Sequence, residues 1–198
     1  GVNAIYKMAK IVSEVEKLND RLKHDDFLGK GTITTSIFES GSPSQCAVAD
    51  YAKIQLDRRL TWGETKEIAV AELEECCKLA GVKEAKVTVL QYDAVAYTGK
   101  EYSVEKYFPT WKLEEDSNWL KNASASYRKT LENEPKIDKW TFSTNCVFIM
   151  GKNPEIKCIG MGPGDEDQAH APNEMTRVSD LSAAAAFYAG FVAELNGK

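Results

Sequence analysis

Apolar residues in the first part of the chain recur with the spacing of helices and strands in turn. Six apolar positions from Ile5 to Leu22 follow one another every three or four residues, which predicts an amphipathic helix. A β-branched run over 32–38 predicts a strand, and alternation of apolar and polar residues over 52–57 predicts a half-buried antiparallel strand. The pattern then predicts a helix over 61–80 and a third strand over 85–89.

The predicted order is therefore helix, strand, strand, helix, strand. This order matches the split βαβ arrangement, βαββαβ, without its first strand. We expect, on this ground, that the chain begins inside a domain rather than at its edge. The tyrosine-rich stretch 92–110 is expected to hold a domain crossover, and we place the boundary between residues 106 and 107.

The second half of the chain predicts part of an α/β sheet. Apolar residues at helical spacing predict a helix over 113–131, and another is predicted over 179–195. Between them, the short apolar runs 146–150 and 156–160 suit strands that are covered on both faces. Helices surrounding buried strands indicate an α/β fold rather than an antiparallel sandwich.

Composition and charge exclude several functional classes. The chain has 198 residues, a formal net charge of −5 and 43% hydrophobic residues, values typical of a globular protein. Because no cluster of Lys and Arg is present, we expect neither a nucleic-acid partner nor an anionic membrane. No apolar run approaches the roughly 20 residues that span a bilayer.

The cysteines indicate a reducing compartment. The count is five, and no Cys-x-x-Cys pair occurs, so neither a disulfide framework nor a zinc ribbon is predicted. We expect free thiols and a cytoplasmic location. The five are Cys46, Cys76, Cys77, Cys146 and Cys158.

Of the two histidines, His170 is the candidate for chemistry. His24 lies in a charged turn, whereas His170 lies in the Gly-rich and acidic loop 160–174, between the last predicted strand and the last predicted helix. Ligands of open α/β sheets bind at the carboxyl ends of strands, and an imidazole beside carboxylates suits metal binding or proton transfer. An ordinary acidic surface loop is the open alternative. A phosphate-binding loop is disfavoured because Pro163 removes a donor and no Lys follows.

The same loop carries a resemblance to a known family. Residues 159–164 (Ile-Gly-Met-Gly-Pro-Gly) and 169–174 (Ala-His-Ala-Pro-Asn-Glu), followed by an Ala-rich helix, resemble the C-terminal signature of a zinc metallohydrolase family. That family holds acetylornithine deacetylase, succinyl-diaminopimelate desuccinylase and carboxypeptidase G. The stretches 57–65, 107–111 and 139–145 are most similar to its selenium-metabolism-linked hydrolase branch.

The resemblance implies a two-domain enzyme with two zinc ions and a lid that mediates dimerisation. The implied fold class is α/β. Residues 1–106 would form an α+β lid of split βαβ type that lacks its first strand. Residues 107–198 would form the C-terminal part of the α/β catalytic domain. The implied partners are a small-molecule substrate and a second copy bound through the lid.

Residue by residue, the resemblance assigns a metal ligand and its supporting loop. His170 matches the family's C-terminal metal-ligand histidine. Four residues of the same loop are expected to hold its shape, although a simple turn before the helix would also explain the last two: Gly162, Gly164, Asn173 and Glu174.

Substrate contacts are also implied by the resemblance. Arg59 matches a lid-strand arginine, whose guanidinium suits a substrate carboxylate; an exposed ion pair is the alternative. Ser143, Thr144 and Asn145 match a loop that lines the substrate pocket, although they could simply cap a strand.

Most of the family's catalytic motifs have no counterpart in these 198 residues. A catalytic zinc needs about three protein ligands, and here one matched imidazole and no matched general base are present. We therefore expect the C-terminal portion of a zinc-dependent amidohydrolase or peptidase, with no catalytic residue of its own and inactive alone. The alternative is a non-catalytic dimerisation or ligand-binding module derived from that family.

Overall fold

The computed structural model describes residues 1–140 and 142–196 and divides the chain into two units. The first unit is Gly1–Thr110 and the second is Trp111–Lys198. The sequence-based boundary, between residues 106 and 107, lies slightly earlier. Within the motif 139–145, residue 141 lies outside the described residues.

The first unit begins with the predicted amphipathic helix. Helix α1 spans Ala4–Asp20, and the side-chain oxygen of Asn3 caps it by accepting hydrogen bonds from the backbone N–H of Ile5 (2.9 Å) and Tyr6 (3.3 Å). The buried residues Ile11, Val15 and Leu18 lie on its inner face. The spacing of apolar residues therefore predicted this helix correctly.

A long hairpin follows α1. After the two-residue strands β1 (His24–Asp25) and β2 (Gly29–Lys30), strand β3 (Thr32–Gly41) pairs antiparallel with β4 (Tyr51–Arg59). The register shifts between Thr35 and Ile37, which places a β-bulge in β3. Both predicted strands are confirmed, and the structure makes each of them longer.

Helix α2 spans Lys66–Leu79, with Thr65 as its N-cap, and it begins five residues after the predicted start.

A second hairpin, β5 (Gln91–Val95) with β6 (Glu101–Glu105), completes the first unit. The core of the unit joins α1, β3 and α2 and consists of the buried Ile11, Val15, Leu18, Leu22, Ile33, Cys76, Cys77 and Val82.

The predicted strand over 85–89 is wrong. These residues belong to no strand ladder in the described part of the chain, and the next strand begins at Gln91 and pairs with β6. Ala85 and Val87 do pack against the core of the first unit, so the alternation of side chains is real. Alternation reports burial of one side of an extended segment, and it does not supply the neighbouring backbone that a ladder needs.

The second unit is built on two helices. Helix α3 (Asn118–Leu131) packs against α5 (Val178–Leu195) through the buried Ala123, Phe187 and Phe191. The rings of Trp119 and Phe191 meet edge to face with centroids 5.7 Å apart. Both helices were predicted, although α3 begins five residues later than the pattern suggested.

The two strands predicted in this unit are also wrong. Residues Cys146–Ile149 form a short helix, α4, and residues 156–160 adopt turn and irregular backbone. In the described part of 111–196 no strand is present. A short apolar run indicates burial but does not distinguish a strand from a buried turn of helix, and a strand requires a neighbour to pair with.

Helix α5 is unusually apolar. By length and composition alone it could cross a membrane, although it packs against α3 and contains Asp180 and Glu194. Helices in the cores of soluble proteins have the same composition. The absence of a membrane partner therefore stays a prediction from the sequence.

Candidate active-site loop around His170

The loop between residues 160 and 174 has a defined backbone. Residues Glu166–Gln168 form a turn of 3₁₀ helix, and the Asp165 carboxylate caps it by accepting from the Asp167 N–H at 3.1 Å. His170 and Asn173 both adopt left-handed backbone, with φ of 64° and 63°. Non-glycine residues rarely adopt this conformation, which clusters at functional sites.

Glu174 ties the loop to His170. Its carboxylate oxygen Oε2 accepts a hydrogen bond from the backbone N–H of His170 at 3.2 Å, while its own N–H donates to the carbonyl of Ala171 at 3.3 Å. The imidazole of His170 is exposed to solvent. The bond from Glu174 therefore holds the backbone at His170 and does not involve its ring.

The two glycines predicted to support the loop have different environments. Gly164 has a φ of 98°, and a Cβ there would lie 3.1 Å from the Thr176 hydroxyl. Only glycine adopts this conformation without strain. Gly162 has open space around the position of a Cβ, so the structure gives no reason for glycine there.

The segment 142–145 lies close to His170. The ring of Phe142 meets the imidazole edge to face, with centroids 6.4 Å apart. Ser143 and Asn145, which follow Phe142, are exposed. The Thr144 hydroxyl accepts from the N–H of Cys146, the first residue of α4, at 3.3 Å, whereas the N-cap residue Asn145 makes no capping hydrogen bond with its side chain. The structure thus places Phe142, which directly precedes the predicted pocket residues 143–145, against His170.

An acidic patch flanks the loop. Lys136 forms an ion pair with Asp138 at 2.6 Å, and this hydrogen bond raises the pKa of Lys136. The carboxylates of Glu166 and Asp167 raise it further, so the lysine lies near the acidic 3₁₀ turn. The same ion pair lowers the pKa of Asp138. The resulting cluster of opposite charges is exposed, and salt will screen it strongly.

The donor set of the described residues does not fit a complete zinc site. Across residues 1–140 and 142–196, no group of three or more His, Cys, Asp or Glu side chains converges closely enough to hold a metal ion. A cleft beside the loop, lined by Gly164, Gln168 and Arg177 among others, measures about 40 Å³ and is too small for an amino acid. His170 fits at most as one ligand among several.

In the first unit, the predicted substrate arginine is exposed. Arg59 ends β4, and its Nε lies 3.2 Å from both carboxylate oxygens of Asp57. This is the exposed ion pair that the sequence left as an alternative, and the guanidinium stays accessible to a ligand. Arg59 belongs to the first unit, whereas His170 belongs to the second.

The sequence did not predict the charge cluster around the neighbouring Arg58. Its buried guanidinium contacts Glu64 at 2.5 Å and Glu72 at 3.0 Å, and Glu64 also accepts from the backbone N–H of Thr61 at 2.7 Å. The alternation over 52–57, extended by one residue, places Arg58 on the apolar side with Leu56. This alternation is the signal in the sequence from which a buried and paired arginine could have been predicted.

Comparison with known proteins agrees with this structure. Residues 1–85 match the family model described as the peptidase dimerisation domain. The chain is 50% identical over 191 residues to the Escherichia coli K12 protein named "Uncharacterized protein YgeY", covering 96% of this chain and 46% of that protein. It is 23% identical over 192 residues to the N-formyl-4-amino-5-aminomethyl-2-methylpyrimidine deformylase of Bacillus subtilis, covering 91% of this chain and 43% of that protein.

A solved structure extends the comparison to the fold. The M20 family metallo-carboxypeptidase Sso-CP2 from Sulfolobus solfataricus aligns with 97% of this chain and 45% of its own chain, at a TM-score of 0.56 and 19% identity. The chain thus spans less than half the length of the relatives it matches. Its residues 1–85 are similar to the peptidase dimerisation domain, and its mixed α/β fold is like the corresponding part of an M20 metallo-carboxypeptidase.

Proposed function

We propose that a longer polypeptide carrying this chain is a metal-dependent hydrolase of amide or peptide bonds. The proposed substrate is a small N-acyl amino acid or a dipeptide-like molecule, and the proposed metal is zinc. The observation that carries the proposal is a match to the peptidase dimerisation domain followed, in one chain, by a loop whose His170 imidazole contacts Phe142. The relatives named a deformylase and a metallo-carboxypeptidase support the same reaction class.

The proposed roles follow from exposure and chemistry. His170 supplies an imidazole ligand, and its exposed ring nitrogens are free to bind. Ser143 and Asn145, with the backbone around Thr144, offer hydrogen bonds to a polar substrate. Arg59 offers a guanidinium to a substrate carboxylate by exchanging its contact with Asp57.

We further propose that this chain alone does not hydrolyse amides. The described residues contain one candidate ligand rather than the three or more that a catalytic zinc needs, and no carboxylate that we assign as general base. The remaining groups would come from the part of the relatives that this chain does not match. Cytoplasmic location and membership of the selenium-linked branch belong to the same proposal, supported by the free cysteines and the motifs 57–65 and 139–145.

Metal content and activity of paired histidine variants test the proposal. In the longer polypeptide, His170→Ala is expected to lose bound zinc and at least about 100-fold in hydrolysis of N-acyl amino acids. His24→Ala, which changes the other histidine, is the matched control and should keep both. Full zinc content and activity in His170→Ala would overturn the assignment. Two tightly held zinc ions in residues 1–198 alone would overturn the claim that this chain is inactive.

A second candidate function is a non-catalytic dimerisation module. It is favoured by the family match, which covers residues 1–85, together with the missing ligand cluster. The two proposals separate on the longer polypeptide: a module binds a second copy and no zinc, whereas the hydrolase does both.

A further inference from the structure

Three aromatic side chains form a continuous row that ends at His170. The rings of Trp140 and Phe142 are stacked, with centroids 5.9 Å apart and planes 13° from parallel. Phe142 in turn meets the His170 imidazole at 6.4 Å with planes 82° apart. Stacked and edge-to-face pairs at these distances are the favourable arrangements of aromatic rings.

The row rests on a glycine. A Cβ on Gly160 would overlap the ring of Trp140, closer than any side chain tolerates. Glycine at this position therefore lets the indole lie directly against the backbone at the start of the loop. The loop thus supports the first ring of the row and carries the imidazole at its other end.

The His170 imidazole needs a contact with another side chain, such as that with Phe142, if its orientation is to be fixed. The backbone of His170 is held by its left-handed conformation and by the hydrogen bond to Glu174, but these contacts do not restrict the side chain. An exposed imidazole on a fixed backbone still rotates between several rotamers. The ring of Phe142 occupies one side of this space, and Trp140 keeps Phe142 in place.

We propose that Phe142 is a positioning residue for His170, and that its ring, backed by Trp140 on Gly160, holds the imidazole in one rotamer. The benefit of that rotamer to metal binding rests on the proposed function. A preoriented ligand loses less conformational freedom when it binds, and groups that orient a ligand histidine commonly change metal affinity by about 10-fold or more.

Nuclear magnetic resonance of the 198-residue chain tests the contact directly, because the chain contains only two histidines. In the unmodified protein, the two Hα–Hβ couplings of His170 should have the values of a single rotamer rather than rotationally averaged values, and its ring protons should show Overhauser effects to Phe142. His24 serves as the internal reference. Phe142→Leu should move the two couplings toward averaged values, whereas Phe142→Tyr should keep those of the unmodified protein.

The matched control is Phe148→Leu, which removes another exposed ring from the second unit. It should leave the His170 couplings unchanged, and amide spectra of α3 and α5 should show that every variant is folded. Averaged couplings in the unmodified chain, or unchanged couplings in Phe142→Leu, would overturn the contact.

A zinc titration of the longer polypeptide then separates this proposal from the proposed function. Phe142→Leu should weaken zinc binding by about 10-fold, and Phe142→Tyr should restore it. A lost rotamer with unchanged zinc affinity would confirm that Phe142 fixes the rotamer and would overturn only the benefit of that rotamer to zinc binding. A fixed rotamer in a longer polypeptide that binds no zinc would overturn the proposed function and leave the contact standing.

Discussion

Two neighbouring arginines at the end of β4 have opposite environments. The side chain of Arg58 is 7% exposed and its partner Glu64 is 2% exposed, whereas Arg59 is 61% exposed beside Asp57. The alternation of side chains along a strand produces this difference between adjacent positions. Because the two residues are chemically identical, they form a matched pair for measuring what burial contributes to an ion pair.

We predict that Arg58→Met destabilises the chain by about 3–5 kcal/mol, because it leaves the buried Glu64 carboxylate without its cation. Arg59→Met is the control and should cost less than about 1 kcal/mol, since exposed ion pairs contribute little. Urea denaturation followed by circular dichroism measures both. Equal losses in the two variants would contradict the buried cluster.

The adjacent cysteines of α2 predict a dependence of stability on alkaline pH. Burial raises the pKa of both Cys76 and Cys77 above the ordinary value. The folded state therefore keeps its thiol protons at a pH where the unfolded chain releases them. Consequently, the stabilisation is complete below the unfolded pKa and is lost as pH rises toward the raised folded pKa.

We expect the free energy of unfolding to fall as pH rises above the ordinary thiol pKa of about 8.5, and to fall less steeply when both thiols are removed in Cys76→Ala/Cys77→Ala. Urea titrations at several pH values measure the slope. Cys46→Ala, which removes an exposed thiol, should keep the slope of the unmodified chain. An identical slope in the double variant would show that other groups cause the alkaline loss.

At the scale of the elements, helices α3 and α5 approach each other closely at Gly190. A Cβ there would lie 2.6 Å from the Thr130 hydroxyl and 2.9 Å from that of Ser126. We predict that Gly190→Ala destabilises the second unit by about 1–2 kcal/mol, because the overpacking outweighs the better helix propensity of alanine.

Thr130→Ala removes the nearer of the two hydroxyls and supplies the control for this prediction. The double variant Gly190→Ala/Thr130→Ala should recover part of the loss, and thermal denaturation of all three variants measures the coupling. A Gly190→Ala variant that is more stable than the unmodified chain would show that the helices have room to move apart.

The sequence predicted elements well where periodicity alone decides them. Helix α1 and strands β3 and β4 have clear patterns, and the structure confirms all three. The failures are the short alternating stretch 85–89 and the short apolar runs 146–150 and 156–160. Such runs indicate burial, but whether they become strands depends on a neighbouring backbone that lies elsewhere in the sequence.

The candidate site shows the same division between local and distant information. His170, Gly164 and Glu174 could be named from one loop of the sequence. The contact between Phe142 and His170 joins residues 28 positions apart, and no pattern in the sequence reports it. Arg58 is intermediate between residues that the local sequence predicts and contacts that it does not. Extending the alternation of β4 by one residue predicts that Arg58 is buried.

At the scale of the whole molecule, the β3–β4 hairpin is unusually apolar at the end where β3 stops and β4 begins. Ile37, Phe38 and Tyr51 are between 43% and 46% exposed there. In the described part of the chain this sheet has only two strands, so each strand has an outer edge without a paired neighbour. Open edges beside exposed apolar side chains favour pairing with another chain, which agrees with the dimerisation domain matched by residues 1–85.

We therefore predict a homodimer formed through this hairpin, with twice the mass of one chain in light scattering after size exclusion. Phe38→Glu should shift the population toward monomer, because a dimer would bury its carboxylate at an apolar interface. Leu79→Glu places the same charge at an exposed apolar position of α2 and should leave the dimer intact. A monomeric unmodified chain at micromolar concentration would refute the prediction. A dimer that both variants leave unchanged would place the interface on another surface of the chain.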